Sequence, residues 1–223
     1  MGDVKLIQVK EGILEENDRK AAAIRARLAD SGTFLLNLMA SPGGGKTSLI
    51  LSTIERLRHR FRIGVIEADI DSSVDAEKVA ASGTTATQLR TGGFCHLDAA
   101  MMEQGLDSLD AASFDLIMVE NIGNLVCPAD FDIGAQANVM ILSLPEGDDK
   151  PLKYPLMFST SDALVVNKID YRELAEFDLD LLTERVLKLN SKLALFPLSC
   201  RTGEGLEAWV EWLAGKVERL KGG

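Results

Sequence analysis

Long apolar runs are missing from this 223-residue chain: the longest, at 33–39 and 114–119, are only of strand length. A helix that crosses a bilayer needs roughly 18 or more, so no membrane span is expected. Residues 1–30 are rich in charge and hold no cleavable apolar region, so no secretory signal is expected and the chain should stay in the cytoplasm. A basic stripe is also missing. The net charge is −10, which argues against a nucleic-acid partner. The one small basic cluster, Arg56, Arg58, His59, Arg60 and Arg62, reads as the solvated end of a helix. Cysteine is scarce as well. Three of them, an odd number without an export signal, fit free thiols in a reducing compartment better than disulfides. No repeat, low-complexity block or long linker divides the chain.

What is present is a 46% hydrophobic content, enough at this length for one α/β domain to fold around its own core. An amphipathic helix is expected over 11–30, with Leu14, Ala21, Ile24 and Leu28 at helical spacing, so that residues 1–32 pack on a domain formed by 33–223. Short β-like runs then alternate with helical ones. Strands are expected at 33–39, 62–67, 85–90, 114–120, 138–143, 163–166 and 192–197, and helices at 46–58, 75–81, 97–109, 179–189 and 204–220. Such alternation predicts a mostly parallel sheet covered by helices on both faces, with ligands at the carboxyl ends of the strands.

The segment from Ala40 to Thr47, ASPGGGKT, follows the first strand and opens a helix. Successive glycines let backbone amides turn toward an anion without Cβ clashes, and the helix amino end favours phosphate. Gly43, Gly44, Gly45, Lys46, Thr47 and Ser48 are therefore the candidate phosphate cradle, with Lys46 on the β- and γ-phosphates and the Thr47 hydroxyl in a magnesium shell. The usual first glycine is Ala40 here; alanine is small and the GGGKT end is intact.

Asn167, Lys168 and Asp170 form an NKxD motif after the apolar run 163–166, 121 residues beyond Lys46. A carboxylate there accepts both the ring N–H and the exocyclic amine of guanine, whereas adenine offers the wrong donors. A buried polar site that loses its partner discriminates by about 10⁴–10⁵-fold in well-built cases. Ser199, Cys200 and Arg201 follow another strand and resemble the loop whose backbone amide meets the guanine oxygen; Cys200 reads there as a small space-filling residue. The expected ligands are GTP and GDP.

Glu120 ends an apolar strand and is placed to meet the magnesium shell through water, while Gly123 lets a switch segment swing. One or more of Asp69, Asp71 and Asp75 is expected near magnesium or the attacking water. Asp75 also suits a helix N-cap before Ala76-Glu77-Lys78. No arginine is placed to act as a finger, so intrinsic hydrolysis is expected to be slow.

Cys95 and His96 are adjacent and spend one of only two histidines; they precede what looks like the first turn of a helix, where a thiol's pKa is depressed. Cys127 comes seven residues after Glu120. Two thiols and an imidazole suit Zn²⁺ or Ni²⁺, with a fourth position for water or a partner's group. The spacing is no zinc-finger pattern, so a buried turn at Cys127-Pro128 and a helix cap at His96 are the plainer alternative.

Over nearly all of residues 10–223 the chain resembles the HypB family, GTPases that help insert nickel during maturation of nickel–iron hydrogenases. The resemblance is carried by SPGGGKT, EADI with DAEKV, TGGFCHLDA, ENIGNLVCPA, FDIG, EGDDKPLKYP and NKID. It implies an α/β P-loop fold of the metal-chaperone GTPase (SIMIBI) type. It also implies that Cys95, His96 and Cys127 bind zinc or nickel at a subunit interface, that GTP promotes a homodimer, and that a HypA-type nickel chaperone and a hydrogenase large-subunit precursor are partners. Lys153, in the EGDDKPLKYP segment, either reaches a nucleotide across the dimer or is a solvated lysine. Residues 1–30 contain neither cysteine nor histidine, so the terminal nickel motifs of some relatives are not expected here. Two other readings remain. A urease-accessory GTPase of the UreG type uses Cys-Pro-His, where this chain has Cys127-Pro128-Ala129. A regulatory module would sense GTP and metal without useful turnover.

Overall fold

Strand β1 (Phe34–Ala40) is buried along its whole length and hydrogen-bonds in parallel on both sides, to β4 (Leu116–Glu120) and to β5 (Ala137–Ser143). The computed structural model describes residues 9–222, so the first eight residues of the expected amino-terminal segment, and Gly223, lie outside the described residues. Outward from β4 come β2 (Ile63–Asp69) and β3 (Thr85–Arg90); outward from β5 come β6 (Ala163–Asn167) and β7 (Ala194–Pro197). The sheet thus has seven strands in the order β3-β2-β4-β1-β5-β6-β7, every neighbouring pair parallel. The chain leaves β1 in one direction to build β2–β4 and returns past it to build β5–β7. The ends of β1, β4 and β5 therefore form the crevice where such sheets hold ligands.

Alternation along the strands sorts the core onto two faces. Leu36, Leu38 and Ala40 face α2 (Lys46–Leu57) and α9 (Leu206–Lys221) through Leu49, Ile54, Trp209 and Leu213. Leu35 on the other face meets α1 (Val9–Ser31) and α4 (Ala99–Leu109), while Met39 meets α7 (Pro155–Thr160) and α8 (Leu179–Leu189). The remaining helices are α3 (Val74–Ala81), α5 (Cys127–Asp130) and α6 (Lys150–Lys153). Among the described residues no helix is long and apolar enough to cross a membrane.

The expected parallel sheet with helices on both faces is present, with altered edges. The fourth strand starts at Leu116 rather than 114, because Asp115 turns its carboxylate to the backbone N–H of Arg62 (2.8 Å) and to the Arg62 and Lys221 side chains (3.0 and 2.8 Å). The fourth long helix starts at Ala99 rather than 97: Asp98 is its N-cap and accepts from Met101 N–H at 2.8 Å. Helices α5, α6 and α7 were not foreseen. Each has proline in its first turn, which reads as a break in a sequence but suits a helix start. The basic cluster is more than a solvated helix end: Arg60 clamps Glu211 and Glu218 of α9 at 2.6 and 2.9 Å.

The cations around Asp115, Arg62 above all, hold its carboxyl well below the usual carboxylate range. A depressed folded pKa contributes stability that is present above the unfolded pKa and is lost as pH falls through the folded value. Asp115→Asn is expected to cost about 1–3 kcal/mol near neutral pH and to flatten the acid limb. Urea unfolding of both proteins from neutral to strongly acid pH checks this; parallel acid limbs would contradict it.

Candidate functional site

The loop between β1 and α2 has the geometry of an anion cradle. Gly43 and Gly45 sit at φ 74° and 102°, and Gly45 is the N-cap of α2 with no side chain capping the first turn. Its amides are therefore left for a ligand. Gly45 must be glycine for a second reason: a Cβ there would overlap the Asn167 amide nitrogen. Lys46 is buried and lines a cavity of about 300 Å³ with Glu67, Asp69, Asp75, Glu120 and Gly123. Thr47 Oγ1 donates to Glu120 Oε1 at 3.1 Å, so the hydroxyl expected on magnesium lies beside the carboxylate at the end of β4.

A second cavity, of about 320 Å³, is lined by Ser48, Asn167, Lys168, Asp170, Ser199, Cys200 and Arg201. Asn167 organises it. Its Nδ2 donates to Gly44 O (3.4 Å), and its Oδ1 accepts from Lys168 N–H (2.7 Å) and Cys200 N–H (3.3 Å). Lys168, at φ 64°, sends Nζ to Gly43 O at 2.8 Å, tying this loop to the phosphate loop. Asp170 accepts from Ser199 Oγ at 2.6 Å and has the Arg201 guanidinium 3.7 Å away. Cys200 packs on the core, and burial pushes its thiol up to about 11. It lies with the residues of this second cavity and not with the other two cysteines.

Those two meet elsewhere. Cys95 Sγ lies 3.0 Å from Cys127 Sγ and 3.9 Å from His96 Nδ1, and one ligand atom from each residue falls within 4.8 Å of the others. His96 stacks on Phe131 at 3.9 Å. Two side chains of α1 brace the loop behind it. Asn17 donates to Asp132 O and accepts from Ala99 N–H, both at 2.8 Å, and Arg25 grips both Asp132 carboxylate oxygens at 2.7 Å. Asn124 joins this cluster to the phosphate loop. Its N–H donates to Ala40 O (2.9 Å), its Nδ2 to Cys95 O (3.2 Å), and its Oδ1 accepts from Val126 N–H (2.9 Å). A Cβ on Gly123 would come within 3.0 Å of Pro42, so this segment lies directly against the cradle.

Several expectations need correction. Cys95 does not sit at a helix amino end, because the first turn begins at Ala99 rather than at Leu97. Its thiol is raised rather than depressed, chiefly by the hydrogen bond to Cys127. Burial lowers the His96 pKa, which favours the neutral, metal-ready imidazole. Asp75 is no N-cap: Ser73 holds that position, and Asp75 pairs with Lys78 at 2.8 Å from inside α3 while still lining the phosphate cavity. Asp69 accepts from the N–H groups of Asp71 (3.0 Å) and Ser72 (2.7 Å), which lower its pKa, so its carboxylate braces its own turn. Lys153 is exposed and pairs with Asp149 at 2.5 Å. The residue that sequence reasoning passed over is Glu67, 2% exposed and opposite Glu120 in the β2–β4 register. Its signal was present: a carboxylate inside an apolar strand, two residues ahead of the acidic loop. Desolvation and the Glu120 charge raise its pKa.

Residues 34–197 match the CobW/HypB/UreG nucleotide-binding domain family. The hydrogenase maturation factor HypB of Rhizobium leguminosarum bv. viciae is 43% identical over 219 residues, 98% of this chain and 73% of that protein. The chain belongs to the HypB family. Two HypB crystal structures share its fold closely. That from Archaeoglobus fulgidus has a TM-score of 0.85 at 37% identity over 92% of this chain and 100% of its own. That from Helicobacter pylori, in complex with nickel, has 0.86 at 38% over 92% and 96%. The wider fold is that of SIMIBI P-loop GTPases. The signal recognition particle 54 kDa protein of Aeropyrum pernix has a TM-score of 0.56 at 12% identity, over 84% of this chain and 48% of its own.

Gly45→Ala is expected to weaken nucleotide binding at least about tenfold, roughly 1.4 kcal/mol. The left-handed φ is strained for alanine, and the new Cβ displaces Asn167. A nucleotide titration of the folded variant measures it, and affinity equal to wild type would contradict the role given to this glycine.

Proposed function

We propose that the chain is a GTP-hydrolysing, nickel- or zinc-binding maturation factor that assists nickel insertion into a nickel–iron hydrogenase, working as a GTP-promoted homodimer. The observation that carries this reading is the short path through Asn124 from the phosphate loop to the Cys95–His96–Cys127 cluster. Family membership supports it. The relatives are hydrogenase maturation factors, and the Helicobacter pylori structure contains nickel. A HypA-type chaperone and the hydrogenase large-subunit precursor are the partners this reading requires.

The base cavity supports guanine. Asp170 sits at its wall, where its carboxylate can accept from the ring N–H and the exocyclic amine, and the apolar stem of Lys168 can lie along the base. At the phosphate end Lys46 supplies a buried cation against the β- and γ-phosphates, and the α2 amides cradle their oxygens. The hard oxygen donors of Thr47 and Glu120, with a buried Glu120 oxygen left unpaired, fit magnesium. When bound with the nucleotide, that ion neutralises charge developing on the phosphates. Asp69 and Asp75 line the same cavity, where they can orient water around the γ-phosphate. No arginine lines it among the described residues, in keeping with slow intrinsic turnover. Lys153, exposed beyond α6, is the residue proposed to reach a nucleotide held by the partner subunit.

At the metal cluster two thiolates and a neutral imidazole offer three donors to a borderline-soft cation such as Ni²⁺ or Zn²⁺. A fourth comes from water or a second subunit. A γ-phosphate that moves residues 121–125 pulls on Cys95 O through Asn124 and carries Cys127 with it.

Asp170→Asn is expected to lower GTP affinity by at least about a hundredfold and to favour xanthine nucleotides, whose extra carbonyl accepts from the asparagine amine. Competition titrations with GTP and XTP measure the switch; unchanged GTP affinity would remove Asp170 from the base site. Linkage requires metal and GTP to change each other's binding by one common factor, typically about 5–150-fold. Nickel and zinc affinities, read by chelator competition in GDP and in a non-hydrolysable GTP analogue, should differ by that factor in wild type. Cys95→Ala should lose metal while GTP binding by the isolated subunit stays intact. Equal metal affinities in both nucleotide states, with no change in mass, would refute coupling.

A further inference from the structure

The carboxyl ends of β2 and β4 bring two acids face to face. Glu67 and Glu120 are opposite one another in the parallel register and are only 2% and 6% exposed. Among the described residues, Glu67 Oε1 and Glu120 Oε2 are the buried side-chain oxygens that no other residue satisfies; there the two carboxyls have only each other. Buried polar atoms are paired in the great majority of cases, and an exception calls for a physical explanation. Glu120 commits its other oxygen to Thr47. Lys46 shares the cavity, but its single charge offsets one carboxylate and not two. The nearby Asp69 and Asp75 are acids as well and bring no donor to these oxygens.

We propose that Glu67 is a second carboxylate in the oxygen shell of the divalent cation that accompanies the nucleotide, acting with Glu120 and Thr47. This deepens the hydrolytic reading of the same site and rests on it. The donor set is wholly oxygen, which suits a hard divalent ion. A dication is also the partner that offsets two facing, desolvated carboxylates at once. Glu67 acts here as a positioning residue. It fixes where the cation sits relative to Lys46 and the α2 amides, and so where the phosphates lie. The signature lies on the sheet and not in the loop: a glutamate on each of two adjacent strands, in register, at the edge where β1 delivers the phosphate loop.

The full chain saturated with GDP is titrated with Mn²⁺, and free Mn²⁺ is read by electron paramagnetic resonance. Glu67→Gln keeps the shape of the side chain and removes its charge. It is expected to weaken Mn²⁺ binding by about 10–100-fold, with GDP affinity in EDTA unchanged. Glu67→Asp, which keeps a shortened carboxylate, should recover part of the loss. The line shape of bound Mn²⁺ should change in both variants, which a purely structural Glu67 would not produce. Wild-type Mn²⁺ affinity and line shape in Glu67→Gln would overturn the proposal. If circular dichroism shows that variant unfolded, Glu67→Asp decides, and wild-type affinity there overturns it equally. Wild-type protein that retains no more Mn²⁺ than GDP alone would instead sink the magnesium-dependent reading of the whole site.

Discussion

Parallel pairing of β1 with β4 and β5 is the constraint from which the site follows. Every strand of the sheet runs the same way, so the loops after β1, β2, β4 and β6 leave from one edge. Register then decides what meets what. Leu38 lies opposite Glu120, so β4 ends beside the start of the phosphate loop, and Glu67 lies opposite Glu120 in turn. A buried amide network holds that edge. Asn121 Nδ2 donates to Asn37 Oδ1 at 3.1 Å, Asn37 Nδ2 donates to Asn138 Oδ1 at 2.9 Å, and Asn121 N–H donates to Leu38 O. These bonds join β1, β5 and the segment after β4 where apolar packing alone would let the strands slide. A one-residue slip of β4 would turn Glu120 to the other face and separate it from Thr47.

Legibility in the sequence followed the range of the interaction. The phosphate loop could be read because its chemistry is local: three glycines, a lysine and a threonine in consecutive positions after an apolar strand. Asn167, Lys168 and Asp170 could be read for the same reason. Glu67 shows in the sequence only as a carboxylate in an apolar strand, since its facing partner lies fifty-three positions away and only the strand order β2-β4 brings it alongside. Alternating strands and helices predict a parallel sheet but not the insertion of β4 between β1 and β2. The short helices α5–α7 escaped because proline both breaks and begins helices, and only tertiary packing, such as Met157 and Phe158 against β5 and β6, selects the second meaning.

The thiol cluster forms for a different reason than the sequence suggests. The sequence suggests a helix amino end at Cys95, yet α4 begins four residues later. What gathers Cys95, His96 and Cys127 is loop geometry: Gly92 and Gly93, both at positive φ, turn the chain after β3, and Asn124 fastens Cys95 to the segment that leads into Cys127. The hydrogen bond to Cys127 raises the cost of ionising Cys95. Thiols bind a metal as thiolates, so any metal bound at this cluster would release protons.

The brace behind His96 has a mechanical meaning. Phe131 backs the imidazole, and the turn that carries Phe131 is fastened to α1 by Asn17 and Arg25. Among the described residues none of α1 lines either cavity, yet Asn17 also holds the first amide of α4, just beyond His96. It works as a splint across both flanks of one ligand. Any displacement of α1 reaches the imidazole through two side chains, while the thiol of Cys127, anchored through Asn124 to β1, answers to the other end of the molecule. The cluster is thus tethered on one side to α1 and on the other to the phosphate loop.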